Sequence, residues 1–127
     1  TMSDEKPIVV CLCGSTRFMG VFFDEGWRLT LEGKIVLSVG VCMHATAHGA
    51  EALGPEVVAR LDALHFRKIE MSEEVRILNL GGYIGPSTAR EMAYAIHLGK
   101  RVTFLEVPTP TGTEEAEKQI KERLGGQ

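Results

Sequence analysis

The sequence predicts an α/β fold, a small, doubly wound, mostly parallel sheet of four to five strands of the flavodoxin or Rossmann-like kind. Short apolar runs rich in β-branched residues alternate with stretches of helical spacing, which is the pattern of a parallel sheet covered on both faces. The unusual glycine, serine and histidine residues follow these runs rather than interrupt them. The length of 127 residues suits one domain, residues 1–127.

The order of elements follows from this alternation. Strands are predicted at residues 7–13, 34–41, 74–80 and 100–107. Helices are predicted at about residues 16–32, 55–71, 88–99 and 114–124, with Trp27 interpreted as a core residue. A long loop at 42–54 and a Gly-rich turn at 81–87 complete the chain. We expect the strand order 2-1-3-4, with a switch point between the first and third strands, where such folds bind ligands.

Composition excludes several classes of function. The chain is 44% hydrophobic and 24% charged, with a net charge of -3, so the basic face typical of nucleic-acid binding is not expected. No apolar run approaches the roughly 20 residues of a membrane span, and the polar N-terminus does not resemble a signal peptide. The three cysteines, Cys11, Cys13 and Cys42, are interpreted as reduced thiols of a cytoplasmic protein.

Three stretches should converge at the switch point, namely residues 14–17, the loop in the 40s and residues 81–87. Their glycines allow a ligand to approach the backbone closely. Ser87 precedes a helix whose N-terminus favours an anion, and Tyr83 is a candidate for stacking on a base. The predicted substrate-binding residues in these stretches are Gly14, Ser15, Arg17, His44, Gly82, Tyr83 and Ser87.

Glu91 admits two interpretations. A carboxylate at the mouth of a sugar pocket can attack an anomeric carbon and form a glycosyl-enzyme. The sequence from Thr88 to Glu91 also has the form of a capping box, in which the glutamate only satisfies a backbone N–H of its own helix. The residues alone leave both interpretations open.

The sequence resembles the nucleoside 2-deoxyribosyltransferase superfamily, which includes the 2'-deoxynucleoside 5'-phosphate N-hydrolases. The shared features are CGS after the first strand, E-x-x-Y-A beginning at Glu91, and LGK before a strand. The resemblance implies that Glu91 is the nucleophile at C1' of the sugar, that Gly14 and Ser15 line the pocket, and that Ser87 binds a 5'-phosphate. It also implies a homo-oligomer acting on a nucleoside or nucleotide without a metal or redox cofactor.

One departure concerns the family aspartate that holds sugar hydroxyls about two dozen residues before the glutamate. His65 falls at that position, and Asp62 lies about one turn earlier on the same helix. We therefore include Asp62 among the catalytic candidates and His65 among the predicted substrate-binding residues. The Gly85-Pro86-Ser87 sequence differs from that of the transferases and favours the phosphate-using hydrolases.

Other chemistries remain open. Cys11 and Arg17 have the spacing C-x5-R of a phosphatase loop, although no Asp-Pro acid follows near the C-terminus. His44 and His48, with Cys42 nearby, are conceivable zinc ligands that lack clear partners, so no metal is expected. The alternative to an enzyme is a binding module that holds a nucleotide without cleaving it, since a shared fold does not guarantee a shared reaction.

Overall fold

The computed structural model describes residues 5–40 and 54–108. The strands are β1 (Val9–Gly14), β2 (Ile35–Leu37), β3 (Glu74–Leu78) and β4 (Arg101–Phe104). The α-helices are α1 (Met19–Leu31), α2 (Pro55–Glu70) and α3 (Pro86–His97), and short 3-10 turns span Thr16–Phe18 and Leu80–Gly82. None of the described helices is both long and apolar enough to cross a membrane.

The four described strands form one parallel sheet in the order β2-β1-β3-β4. The predicted α/β class and strand order are therefore confirmed. Cys11 pairs with Leu37 of β2 on one side and with Val75 of β3 on the other. β1 and β3 are neighbours in the sheet, but the helices that follow them, α1 and α3, pack on opposite faces. The predicted switch point therefore lies between the carboxyl ends of these two strands.

The core is divided by β1 into two layers. Val10 and Leu12 face α1, where they pack with Phe22 and Leu29. The alternate residues Cys11 and Cys13 face the opposite layer, which is built from α2, α3 and the neighbouring strands. The buried members of this second layer are Cys11, Cys13, Ile69, Val75, Ile77, Met92 and Ala95. A strand buried on both faces explains the continuous apolar run in the sequence.

Several expected boundaries differ from the structure. The second strand ends at Leu37 rather than near residue 41, and α3 begins at Pro86, two residues before the predicted start. Proline at the first helical position lacks the N–H that would be unpaired there in any case, which explains the early start. The interpretation of Trp27 as a core residue is wrong, because it is 65% exposed on the outer side of α1. The predicted loop at 42–54 falls mainly, and the helix at 114–124 entirely, outside the described residues.

A charged group is held inside the α1 layer. Glu25 of α1 is 8% exposed, and its carboxylate accepts hydrogen bonds from Arg76 of β3 at 2.6 Å and from Arg28 at 2.9 and 3.0 Å. The hydrogen bonds from Arg28, followed by those from Arg76, outweigh the effect of burial and lower the pKa of Glu25. This pairing ties α1 to the sheet through charge as well as through apolar packing.

Gly14 provides a first test of how closely β1 and β3 approach. A methyl group at Gly14 would lie 3.0 Å from Cβ and 3.2 Å from the carbonyl oxygen of Leu78. Gly14→Ala should lower the free energy of unfolding by about 1–3 kcal/mol, because the two strands would have to separate. Gly20→Ala is the matched control, since nothing lies within 4 Å of its added methyl, and it should stabilise α1 by up to about 1 kcal/mol. Equal effects in denaturant unfolding would contradict the close approach at Gly14.

Glu25 gives a pH-dependent test. Because its pKa is lowered in the folded state, its stabilisation is present above the unfolded pKa of about 4.3 and is lost as the pH falls through the folded value. Glu25→Gln should cost about 1.5–3 kcal/mol at pH 7, as for hydrogen bonds to charged groups. The difference from the unmodified chain should shrink in acid. Glu32→Gln removes an exposed partner of Arg28 and should cost less than about 1 kcal/mol. A Glu25→Gln loss that is independent of pH would show that the charge does not matter.

Candidate functional site

The carboxyl end of β1 turns sharply into a short 3-10 segment. Ser15 caps this segment, and its Oγ accepts hydrogen bonds from the backbone N–H and the Nε of Arg17, each at 3.3 Å. A serine in this position satisfies an N–H that the turn leaves without a partner. The cap therefore fixes both Ser15 and Arg17 at the edge of the sheet.

Arg17 joins this turn to the connection after β3. Its Nη2 donates to the hydroxyl of Tyr83 at 2.9 Å, and its guanidinium lies 5.2 Å from the centre of the Tyr83 ring. Phe18 contacts the same ring edge to face. Two of the three stretches that were predicted to converge at the switch point, residues 14–17 and 81–87, are therefore in direct contact. Arg17 and Tyr83 both remain exposed, so they lie at the surface of the site rather than in its interior.

Asn79 joins the connection after β3 to the segment after β4. This residue is fully buried, and its side chain exchanges two 3.0 Å hydrogen bonds with the backbone of Glu106, just after β4. The Glu106 carboxylate in turn accepts from the N–H of Gly81 at 2.6 Å. Gly81 and Gly82 have φ angles of 65° and 82°, which glycine adopts without strain. The loop is therefore held in one conformation by β4.

Glu91 does not cap α3. Gly85 is the N-cap and no side chain caps the helix, so Thr88 is the third helical residue rather than the cap. The capping-box interpretation is therefore wrong. Glu91 lies nearly two turns inside the helix, and its side chain is 16% exposed. One of its carboxylate oxygens is 3.8 Å from Nε2 of His65, and the carboxylate also interacts with the Cys13 thiol.

A cluster of sulfur and nitrogen atoms adjoins this carboxylate. Nε2 of His65 lies 3.3 Å from Sγ of Cys13 and 3.8 Å from Sγ of Cys11. The two thiols share one face of β1 because they are two residues apart on a strand. His65 reaches them from α2 and is only 7% exposed. All three potential ligand atoms lie within 4.8 Å of one another.

Burial changes the acid–base properties of these groups. It raises the pKa of Glu91 to about 7, despite the opposing effect of His65. Burial also raises the pKa of Cys13, whereas a hydrogen bond from Cys13 lowers that of Cys11 to about 6. Burial alone would lower the pKa of His65, but its hydrogen bond to Cys11 and the Glu91 carboxylate raise it. All four side chains, those of Cys11, Cys13, His65 and Glu91, therefore have shifted pKa values, which is common at functional sites.

The remaining predicted residues lie around these two groups or outside the described chain. Asp62 is exposed on α2, and its charge contributes to the raised pKa of Glu91. Ser87 is exposed in the first turn of α3, where its Oγ accepts from Nη2 of Arg90 at 3.0 Å. Gly14 packs on Leu78. His44, together with Cys42 and His48, lies outside the described residues.

Comparison of the chain with protein-family models, with curated proteins and with solved structures gives no match. The chemistry of the site is therefore inferred from its geometry.

Sequence reasoning did not identify the contacts of three residue types. Cys11 and Cys13 are interpreted from the sequence only as reduced thiols, although the C-x-C spacing on a predicted strand already places both on one face. Asn79 was read as part of a strand, and no signal marked it as the anchor of the loop. Arg90 also escaped attention, although it follows Ser87 by three residues and so shares its helix face.

Proposed function

We propose that the protein cleaves or transfers the N-glycosidic bond of a nucleoside or nucleoside 5'-monophosphate, with Glu91 as the nucleophile at C1'. The observation that carries the proposal is the position of the Glu91 carboxylate. It is turned inward beside Cys13, at the carboxyl end of β1, and serves no capping role. A partly buried carboxylate at the switch point of a parallel sheet lies where such folds bind small molecules.

The reaction follows from the chemistry of a carboxylate. A Glu91 oxygen forms a bond to C1' as the C1'–N bond breaks, and the bonding electron pair leaves with the base nitrogen, which takes up a proton. The base nitrogen takes its proton from solvent. Water or an acceptor base then attacks C1' and gives up a proton to solvent, and the carboxylate is released. The oxocarbenium-like transition state is stabilised by the adjacent negative charge. Asp62 is assigned to this site as the second carboxylate, since its charge acts on Glu91.

The first turn of α3 is the proposed position of a 5'-phosphate. Free N–H groups and the helix dipole favour an anion at this end, and no side chain caps it. Ser87 supplies a hydroxyl, and Arg90 adds a guanidinium held 3.0 Å from that hydroxyl. Arg17 and Tyr83, paired across the switch point, are assigned to the sugar or the base.

One observation favours a second candidate, a module that binds a nucleotide without cleaving it. His65 occupies the position at which the resemblance implies a sugar-binding aspartate, and its Nε2 contacts the two thiols. A phosphatase is less favoured, because Cys11 is fully buried on β1 while Arg17 is exposed. The homo-oligomer and the cytoplasmic location stay predictions.

Replacement of Glu91 separates these candidates. Glu91→Gln keeps the size of the side chain but removes the nucleophile, since an amide cannot form the glycosyl ester. We expect the variant to bind nucleotide and to lose release of free base by at least about a thousandfold, measured by chromatography over a panel of nucleosides and nucleotides.

Glu56→Gln is the control, because Glu56 is an exposed carboxylate in the first turn of α2. It should leave base release unchanged. Full turnover by folded Glu91→Gln would contradict the nucleophile assignment. Ligand binding without base release by the unmodified chain would favour the binding module instead.

Ser87 tests the phosphate position. Ser87→Ala removes a hydroxyl from the first turn of α3 and should weaken a nucleoside 5'-monophosphate about ten- to a hundredfold, as for one hydrogen bond to a charged group. The matching nucleoside serves as the control ligand and should lose little affinity. Equal losses for both ligands, measured by calorimetry, would remove the phosphate from this helix end.

A further inference from the structure

The cluster formed by Cys11, Cys13 and His65 has the geometry of a metal site. The two Sγ atoms lie 3.8 and 3.3 Å from Nε2 of His65, and all three atoms lie within 4.8 Å of one another. In a tetrahedral zinc site, Zn–S bonds of about 2.3 Å and Zn–N bonds of about 2.0–2.1 Å place such ligand atoms roughly 3.6 Å apart. The two nitrogen–sulfur distances therefore differ from the tetrahedral value by a few tenths of an ångström.

We propose that Cys11, Cys13 and His65 bind one zinc ion between the sheet and α2. Zinc is favoured because two thiolates and an imidazole are ligands it prefers, whereas calcium and magnesium require oxygen. Both cysteines are free of disulfide bonds and fully buried. Zinc binds both sulfurs as thiolates, and any proton that they carry is released to solvent.

The surroundings of the cluster are compatible with a buried ion. Ile69, Ile77 and Met92 belong to the same apolar layer, where an unbalanced charge would be costly. Two thiolates balance the two positive charges of zinc, so the bound group is neutral. The Glu91 carboxylate is the nearest charged group described beside the cluster, with one oxygen 3.8 Å from Nε2 of His65.

Zinc binding goes beyond the proposed glycosidase chemistry and does not depend on it. The three ligands are sufficient for the assignment, and water can complete the tetrahedron. Glu91→Gln is therefore expected to bind zinc with unchanged stoichiometry. A loss of base release in that variant with zinc binding retained would separate the two proposals experimentally.

The test uses the full chain, stripped with a chelator under reducing conditions and then titrated with cobalt(II) or zinc(II). We expect one ion per chain and a near-ultraviolet thiolate-to-cobalt absorption corresponding to two thiolates. Zinc should also raise the melting temperature by several degrees, because it binds the folded state preferentially. No cobalt band and no thermal shift in the unmodified chain would overturn the proposal without the need for any variant.

Variants then identify the ligands. Cys13→Ser and His65→Gln should each weaken zinc binding by at least tenfold, since even partners outside the coordination sphere commonly cost about 10–100-fold. Cys42→Ser and His97→Gln are the matched controls and should bind as the unmodified chain does; His97 is exposed near the end of α3. Circular dichroism establishes that each variant is folded. Binding that survives folded Cys13→Ser, or that is lost in Cys42→Ser, would overturn the assigned ligand set.

Discussion

The burial of β1 on both faces is the constraint on which the rest of the structure depends. Residues 10–13 are fully buried, and the strand pairs with β2 on one side and β3 on the other. Its alternating side chains must therefore complete two different layers. Val10 and Leu12 complete the apolar layer under α1, while Cys11 and Cys13 complete the layer that His65 and Glu91 also enter. A shift of one residue would exchange the two sets, so the register that builds the core also assembles the site.

Helix α3 combines two kinds of chemistry because of where it begins. Pro86 starts the helix without a side-chain cap, which leaves its first N–H groups available at the exposed end beside Ser87 and Arg90. Glu91 lies four residues after Ser87, and its partly buried side chain is 16% exposed. Residues four apart share one side of a helix. Under the proposed function, a phosphate at the helix end and a sugar carbon at the carboxylate would belong to one elongated ligand.

The sequence was sufficient for the fold because periodicity and topology rules act on whole elements. Alternation of buried strands with helices predicted the parallel sheet, and the order β2-β1-β3-β4 followed. Thr88 and Glu91 have the spacing of a capping box, but the helix begins at Pro86, two residues before Thr88. The capping-box interpretation is wrong for that reason. The interpretation of Trp27 as a core residue was wrong, because the size and hydrophobicity of a side chain do not determine which side of a helix it occupies. His65 and Cys13 are 52 residues apart, and only the packing of α2 against β1 brings them together.

Glu91 lies close to the thiols, so the two proposals must be electrostatically compatible although neither depends on the other. An uncompensated divalent cation near a carboxylate would attract it strongly in a medium of low dielectric constant. Two thiolate ligands cancel that formal charge, so the zinc group would act on Glu91 mainly through a local dipole. The carboxylate would then keep its freedom to approach a sugar carbon. A neutral zinc group would also fix the position of His65, which otherwise lies between the thiols and Glu91 with a pKa that both raise. Under both proposals, the zinc group would thus position His65 beside Glu91, and the carboxylate would remain the nucleophile.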